Sequence, residues 1–517
     1  MNFHLLILNL SLIVFSLLSS IFSYENSEPE KSLQYYRTVI YHPKQPYLIS
    51  GPTKLIEGKK TYSISDSNLI QTLFPNIYGK PLITFELSKS EKIYVKDPIN
   101  IGIIFCDGQA PGSHNIISGL YDNIKSFNTN SKIFGFLNGF DGLINHKYIQ
   151  ITSDLVNKYR NTGGIDLIGT SRYKLEEINI QDKNIIDICY KLKLKALVII
   201  GNSESIIISS IMAEYFLKKN IDIQIIGIPK SINGDFKNEF IETSLGFDTA
   251  TKLYSELIGN IEKDAINEKN AWHFITLMGN NTSHITLECA LKTQPNIAII
   301  GEEIYQKKIK LTDIIDYIIN IIKKRAELGK NYGVILIPEG LNNFIPELND
   351  EINMSGKSNK NIIAEMVINK LKQEKYNKNF IIQKHFFGYE GRSCAPSNFD
   401  ADYAYALGKG ASLLIKAGKT GYISYVKNLV NPFAFWIVGG IPFTTMMNIE
   451  KINGKIKPLI KKTFVRLDDR PFKIFENKRE EWAINDKYKY PGPILYWGPS
   501  EIVDATTETL KYEQNLF

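Results

Sequence analysis

The chain has 517 residues, of which 44% are hydrophobic and 22% are charged. These values are typical of a globular protein with two or more cores, and they exclude a mainly disordered chain and a polytopic membrane protein. The 61 Lys and Arg against 54 Asp and Glu give a formal charge of +7, too small an excess over this length to indicate a nucleic-acid partner. The four cysteines form no CxxC pair, so neither a zinc ribbon nor a disulfide scaffold is predicted.

The first 23 residues stand apart from this globular pattern. Residues 1–23 are apolar with scattered Ser and Asn, and the chain then turns charged between Glu25 and Lys31. An apolar core closed by small residues is typical of a secretory signal peptide, and the stretch could also serve as a short membrane anchor. Because no Lys or Arg precedes the apolar core, an unprocessed extension is the alternative. A signal or anchor predicts the secretory pathway or a membrane location; otherwise we expect a cytoplasmic protein.

From Ile99 onward, short apolar runs alternate with helix-length segments. The first run, Ile101–Phe105, lacks polar alternation, as expected of a strand buried on both faces of a parallel sheet. Further runs lie at residues 196–200, 224–228, 297–300, 334–337 and 421–426. This alternation indicates βαβ units, so we predict an α/β fold with doubly wound, mostly parallel sheets. Ligands of such sheets bind where the strands end, which makes the following loops the candidate functional sites.

The first of these loops, residues 107–112, reads DGQAPG and precedes a predicted helix at residues 114–127. Backbone N–H groups and the dipole at the start of a helix suit a phosphate group. A tight strand-to-helix turn that needs glycine for its backbone angles is the alternative.

The second loop, residues 229–236, reads PKSINGDF and is followed by GFDTA at residues 246–250. This combination resembles the phosphofructokinase superfamily, and specifically its long pyrophosphate-dependent class, whose loop reads proline-lysine-threonine-isoleucine-aspartate-glycine-aspartate. Further motifs match in the same order, at residues 108–122, 161–172, 277–291, 332–341, 386–401 and 489–499. The resemblance covers about residues 32–499, nearly the whole chain except the leader.

The resemblance implies two doubly wound, mostly parallel α/β domains of the phosphofructokinase type. It also implies phosphoryl transfer from pyrophosphate to the 1-hydroxyl of fructose 6-phosphate, with Mg²⁺ as cofactor, and an oligomer whose sites borrow residues across subunits. The expected parts are an N-terminal extension (24–95), a phosphate-donor-side domain (96–244 with 391–450) and a sugar-phosphate-side domain (245–390 with 451–517) that carries a polar insertion (349–378) with one amphipathic helix (362–371).

The second loop departs from the family at its catalytic position. The family's general base is the first aspartate of this loop, and here that residue is Asn233. An amide cannot accept the substrate proton, and general-base assistance is typically worth about 10²–10⁴-fold in rate. Asp235 is retained, but two residues further along the loop its carboxylate is expected to miss the sugar hydroxyl. Lys230, which Ser231 follows, matches the family lysine associated with pyrophosphate use.

The donor side departs from the family at further positions. After residues 196–200 the family reads Gly-Gly-Asp-Asp-Ser, where the first aspartate helps to hold Mg²⁺; here Ser203 and Glu204 replace the two aspartates. Asp107 replaces the glycine before Gly108 and brings a negative charge towards the phosphate position. Arg172 matches a retained donor-side arginine. These changes argue against binding of pyrophosphate and Mg²⁺.

The sugar-phosphate side is better preserved. In the family a Met-Gly-Arg sequence supplies an arginine to the sugar phosphate, and here Asn280 replaces that arginine. For Glu339 the alternative to sugar binding is a helix-start carboxylate, and for Arg392 it is an ion pair that holds the fold. The candidate sugar-phosphate residues are Met278, Gly279, Asn280, Glu339, Tyr389 and Arg392.

Two functional hypotheses follow. The first is a non-catalytic, regulatory type of subunit, known in this family with the same Asn-Gly-Asp sequence, that binds fructose 6-phosphate or a related sugar phosphate and assembles with an active subunit or with itself. The second is a weakly active or altered phosphofructokinase that uses Asp235 and Glu204 in place of the lost groups. Outside these loops, Cys106, Trp436 and Trp497 are predicted to pack in the core, and His284 is predicted to be structural.

Overall fold

A computed structural model describes residues 36–89, 95–172, 178–279, 281–349, 361–376, 381–452, 454–493, 504 and 506–514. The chain separates into two compact units, residues 1–42 and 43–517. The described part of the first unit contains a short helical turn, Tyr36–Ile40. The predicted leader at residues 1–23 lies outside the described residues. No described helix is long and apolar enough to span a bilayer.

The second unit is an alternation of strands and helices, as the apolar runs predicted. In chain order the strands are β1 Thr53–Lys60, β2 Pro81–Leu87, β3 Asn100–Phe105, β4 Ile133–Phe136, β5 Tyr148–Gln150, β6 Leu194–Gly201, β7 Gln224–Pro229, β8 Ala271–Leu277, β9 Ile297–Ala298, β10 Gly333–Pro338, β11 Ile381–Phe387, β12 Tyr422–Lys427, β13 Ile437–Pro442, β14 Met447–Ile452 and β15 Lys455–Ile460.

The α-helices of the second unit lie mainly between these strands. In chain order they are α1 Ser67–Leu73, α2 Ser113–Phe127, α3 Phe140–Ile144, α4 Ser153–Tyr159, α5 Lys183–Lys191, α6 Ser203–Lys218, α7 Phe247–Glu268, α8 His284–Thr293, α9 Gly301–Lys307, α10 Leu311–Glu327, α11 Ile362–Gln373, α12 Tyr389–Ser393, α13 Asn398–Lys416, α14 Arg470–Ile484 and α15 Glu508–Glu513.

A nine-stranded sheet forms the larger layer, in the order β1-β2-β13-β12-β7-β6-β3-β4-β5. Its centre is parallel from β12 to β4, where every predicted strand of this sheet pairs with its neighbours. The flanks are antiparallel: β1, β2 and β13 extend one side, and β5 closes the other. The predicted doubly wound, mostly parallel α/β class is confirmed, with antiparallel edges that the apolar runs did not indicate.

The continuous apolar runs are explained by burial on both faces of this sheet. In β3, Ile101 and Ile103 belong to one hydrophobic cluster, while Ile104 belongs to the cluster on the opposite face. Val198 and Ile199 of β6 divide between the same two clusters. Since full burial of such a side chain stabilises a fold by about 1.5–3 kcal/mol, a strand in this position has no place for polar alternation.

A second sheet is wholly parallel, in the order β11-β8-β10-β9. Strands β8 and β11, which the sequence did not predict, end immediately before Met278 and Gly388 and so carry two of the candidate loops. Helix α11 appears where an amphipathic helix was predicted, and its apolar residues Ile363, Val367 and Leu371 join the core of this sheet. Residues 350–360 and 377–378 of the predicted insertion lie outside the described residues. The domain boundaries stay a prediction.

Candidate active site

Loops from both sheets meet at a cavity of about 570 Å³, which we call the active-site cavity. Its residues follow the carboxyl ends of β3, β6, β7, β8, β10 and β11, except for Arg172. This is where ligands of open parallel sheets bind. The cavity is lined by Asp107, Gly108, Gln109, Arg172, Asn202, Glu204, Lys230, Ser231, Ile232, Asn233, Met278, Glu339, Tyr389 and Arg392.

Most of the predicted site residues therefore come together. Among the described candidates, Ser203, Asp235 and Gly279 do not line the cavity. Asn280 lies outside the described residues. Sequence reasoning did not single out Asn202, although an Asn directly before a helix is a recognisable N-cap signal.

The second loop is held rigidly with Asn233 facing the cavity. The backbone N–H of Asn233 donates to Ser231 Oγ (3.1 Å), and its carbonyl accepts a hydrogen bond from Thr282 Oγ1 (3.3 Å). Gly234 has φ +71°, and a Cβ there would lie 2.9 Å from the ring of Phe247. This position therefore requires glycine. The residue at the position where the resemblance implies the general base is thus an amide that lines the cavity.

The carboxylate of Asp235 lies beside Ser231 and Lys462, and Asp235 does not line the active-site cavity. Its Oδ1 accepts a hydrogen bond from Ser231 Oγ (2.9 Å), and its Oδ2 lies 3.9 Å from Lys462 Nζ. The residue is only 7% exposed. Asp235 does not itself line the cavity, and its carboxylate is already hydrogen-bonded to Ser231, so it is poorly placed to receive a proton from a substrate inside the cavity.

At the start of α6, side-chain oxygen atoms of the protein accept hydrogen bonds from backbone N–H groups that could otherwise bind a phosphate. Asn202 Oδ1 accepts hydrogen bonds from the backbone N–H groups of Glu204 (2.8 Å) and Ser205 (3.3 Å). Asp107 Oδ2 accepts from Asn202 N (3.3 Å) and from Ser205 Oγ. A helix N-terminus binds anions because its first N–H groups lack partners. Here the Asn202 side chain takes two of these N–H groups, and the Asp107 carboxylate takes the N–H of Asn202 just before the helix.

The conformation of Asp107 fits the glycine that the resemblance implies at its position. Its φ is +65°, in the left-handed region that few residues other than glycine adopt readily. Asp107 is 7% exposed, so its charge is largely shielded from solvent.

Lys230 connects the second loop to the first. Its Nζ donates to the carbonyl oxygens of Cys106 (2.9 Å) and Gly108, which leaves one of the three N–H groups of the ammonium for a ligand. Burial lowers the pKa of Lys230 to about 8; the charge of Asp107 opposes this shift and the charge of Arg172 adds to it.

The residues at the start of α6 do not fit the Mg²⁺ site that the resemblance implies. The carboxylate expected at position 203 is a serine hydroxyl, and the Asp107 carboxylate is bonded to the helix start. Among the described residues, no group of three His, Cys, Asp or Glu side chains is arranged to hold a metal ion. Mg²⁺ depends on carboxylates together with substrate phosphates, and Glu204 is the one acidic side chain that α6 adds to the described cavity lining.

The sugar-phosphate side keeps an ordered set of polar groups. Glu339 lies directly after β10, and its Oε2 accepts a hydrogen bond from the backbone N–H of Gly279 (3.2 Å). The Arg392 guanidinium carbon lies 4.7 Å from the centroid of the Tyr389 ring. A Cβ on Gly391 would lie 2.4 Å from Tyr254, so the backbone of this turn packs closely against α7.

The residues predicted to be structural behave as expected where they are described. Cys106 is 3% exposed, and burial raises the pKa of its thiol well above the usual value, so it is not a nucleophile. His284 is half-buried, and its Nε2 lies 3.0 Å from the Thr463 carbonyl oxygen. Trp436 is 3% exposed, within the core. Trp497 lies outside the described residues.

Comparisons with known proteins agree with the fold and the motifs. The model of a family described as phosphofructokinase matches residues 100–415. Pyrophosphate–fructose 6-phosphate 1-phosphotransferase from Porphyromonas gingivalis is 42% identical, over 94% of this chain and 99% of that protein. Pyrophosphate–fructose 6-phosphate 1-phosphotransferase subunit beta 2 from Arabidopsis thaliana is 41% identical, over 90% of this chain and 91% of that protein. Subunit alpha 2 from the same plant is 33% identical, over 90% of this chain and 86% of that protein.

The solved structure of a pyrophosphate-dependent phosphofructokinase from Marinobacter aquaeolei superposes with a TM-score of 0.56 over 75% of this chain and 93% of that chain. At 15% sequence identity this likeness shows the fold alone. The sequence relatives extend over nearly the whole chain at much higher identity. The chain therefore belongs to the phosphofructokinase family, among its pyrophosphate-dependent members.

Proposed function

We propose that this chain is a non-catalytic subunit of a pyrophosphate-dependent phosphofructokinase, one that binds a sugar phosphate without transferring a phosphoryl group to it. The observation that carries the proposal is Asn233, an amide that lines the cavity where the family has its general base. A neutral amide cannot take the proton of the attacking hydroxyl at any ordinary pH.

The donor side supports the same proposal. Pyrophosphate brings several negative charges, while the described start of α6 offers it a buried carboxylate and N–H groups that already have partners. Two unit charges of the same sign repel by about 4 kcal/mol at 4 Å with an effective dielectric constant of 20. Lys230 and Arg172, which line the same cavity, act against that repulsion.

A non-catalytic chain of this kind would act by assembling with an active subunit of the same family. The plant relatives are named as beta and alpha subunits of one phosphotransferase. Similarity to them extends over 90% of this chain, which supports a shared scaffold. We propose that it assembles with an active subunit and modulates it.

A substitution of Arg392 tests whether the sugar-phosphate side of the active-site cavity still binds its ligand. We expect Arg392→Gln to weaken fructose 6-phosphate binding about 10- to 150-fold, because a hydrogen bond to a charged group contributes about 1.5–3 kcal/mol. Isothermal titration calorimetry with fructose 6-phosphate measures the change. Arg466→Gln is the matched control, since Arg466 pairs with Asp468 at the surface and does not line this cavity. If the two variants bind fructose 6-phosphate with equal affinity, Arg392 does not contribute to binding that ligand.

The second candidate is an enzyme with reduced or altered activity. It is favoured by identities of 42% and 41% to relatives named for the phosphotransferase activity or its beta subunit, higher than the 33% to alpha subunit 2. Glu204 lines the cavity as this candidate needs, but the carboxylate of Asp235 does not.

A turnover assay with pyrophosphate, Mg²⁺ and fructose 6-phosphate distinguishes the two candidates. Alone, the purified chain is expected to form no product; mixed with an active family subunit, it is expected to shift that subunit's KM. Turnover by the chain alone that Asp235→Ala abolishes would establish the second candidate instead.

A further inference from the structure

A second polar cavity, of about 240 Å³, lies beside α2 and α13 and shares no lining residue with the active-site cavity. We call it the lysine cavity, because Lys409 and Lys416 of α13 both line it. The two residues are seven positions apart, which places them two turns apart on the same face of the helix.

Lys409 is a buried cation without an anionic partner among the described residues. It is 9% exposed, and its Nζ donates to Gln45 Oε1 and to the Ile49 carbonyl oxygen (3.3 Å), both neutral acceptors. Burial lowers the pKa of Lys409 to about 8, and the negative charge of Asp122 opposes this shift. A buried ammonium whose hydrogen bonds go only to neutral acceptors is costly, and an anion in the adjacent cavity would offset that cost.

Lys416 adds a second positive charge to the same space. Its Nζ lies 4.5 Å from the centroid of the Phe127 ring, and no carboxylate of the described chain forms an ion pair with it. The ring contact leaves the N–H groups of the ammonium available to an oxyanion.

The acidic residue at this cavity, Asp122, is already neutralised. Its carboxylate accepts hydrogen bonds from Arg160 Nη1 (3.0 Å) and Nη2 (3.1 Å), and from the Tyr405 hydroxyl (2.8 Å). A bidentate arginine pair of this kind cancels most of the negative charge that Asp122 brings. The lysine cavity is therefore lined by two lysines and by one carboxylate that already has an arginine partner.

We propose that the lysine cavity is a binding site for a phosphate group, separate from the active-site cavity. The phosphate oxygens would accept hydrogen bonds from Lys409 and Lys416 and supply the missing counter-charge. The group is either free inorganic phosphate or the phosphate of an organic phosphomonoester. This site does not depend on the proposed loss of catalysis.

The test uses the full chain with Arg172→Gln and Arg392→Gln, which remove two cations from the active-site cavity. Calorimetric titration with inorganic phosphate, and separately with fructose 6-phosphate, shows which source of the group binds more tightly. We expect Lys416→Gln in this background to weaken the tighter ligand at least tenfold. Lys125→Gln, which removes the same charge from α2 outside the lysine cavity, is expected to leave the affinity unchanged.

A second measurement is the pH dependence of phosphate binding in the same background. Because Lys409 loses its proton as the pH rises through about 8, we expect affinity to fall over that range. The proposal is overturned if the background protein binds neither ligand, or if Lys416→Gln and Lys125→Gln behave alike. Either result would leave Lys409 as a structural tie to Gln45 and Ile49.

Discussion

Introducing Asn233→Asp is expected to raise pyrophosphate-dependent phosphorylation of fructose 6-phosphate by about 10²–10⁴-fold in a chain that also carries Asp107→Gly, Ser203→Asp and Asn280→Arg. These three background changes restore the residues that the family resemblance implies around the donor and sugar phosphates. The added carboxylate then supplies the missing general base on a loop that already faces the cavity.

The matched control for this prediction is the same background with Asn233 retained. Both proteins are assayed for fructose 1,6-bisphosphate with Mg²⁺ and pyrophosphate. Since Asn and Asp have nearly the same shape, the pair differs in charge and in the ability to accept a proton. Equal rates in the two proteins would show that position 233 does not carry the base.

Asp107→Gly in the otherwise natural chain is expected to tighten pyrophosphate binding at least tenfold. The change removes a buried negative charge beside the phosphate position and frees the N–H of Asn202 and the hydroxyl of Ser205. Glycine also adopts the φ of +65° without strain. Calorimetric titration with pyrophosphate measures the effect.

The pH of that titration matters, because Asp107 also raises the pKa of Lys230. Without Asp107 that pKa falls below about 8, so the comparison belongs at pH 7 or lower, where the lysine keeps more of its charge. Asp222→Asn is the control, since this aspartate pairs with Lys195 at the surface and its side chain is 88% exposed. If Asp107→Gly and Asp222→Asn have the same affinity for pyrophosphate, the carboxylate of Asp107 does not obstruct that ligand.

The central strands and the loops that follow them could be predicted because their sequence signals are local. Ile101–Phe105 lacks polar residues since both of its faces are buried, and the loop after it therefore lies at the edge of a parallel sheet. The family motifs then identified most of the residues that line the cavity, although not Asn202. Strands β8 and β11 were missed, although their loops were found through the motifs.

The direction of individual side chains could not be predicted in the same way. Asp107 and Ser205 are 98 positions apart in the chain, and only the parallel pairing of β3 with β6 brings them together. Asp235 turns towards Ser231 and Lys462 because of contacts that no local pattern encodes. The sequence therefore predicted which site residues differ from the family pattern. The structure adds which hydrogen bonds the carboxylates of Asp107 and Asp235 accept.

The central claim is that the chain cannot activate the sugar hydroxyl, and a single-turnover experiment tests it most directly. The natural chain, in excess over fructose 6-phosphate, is incubated with pyrophosphate and Mg²⁺, and fructose 1,6-bisphosphate is measured by mass spectrometry. We predict no product above that formed without protein. Conversion of a stoichiometric fraction of the sugar phosphate would contradict the account.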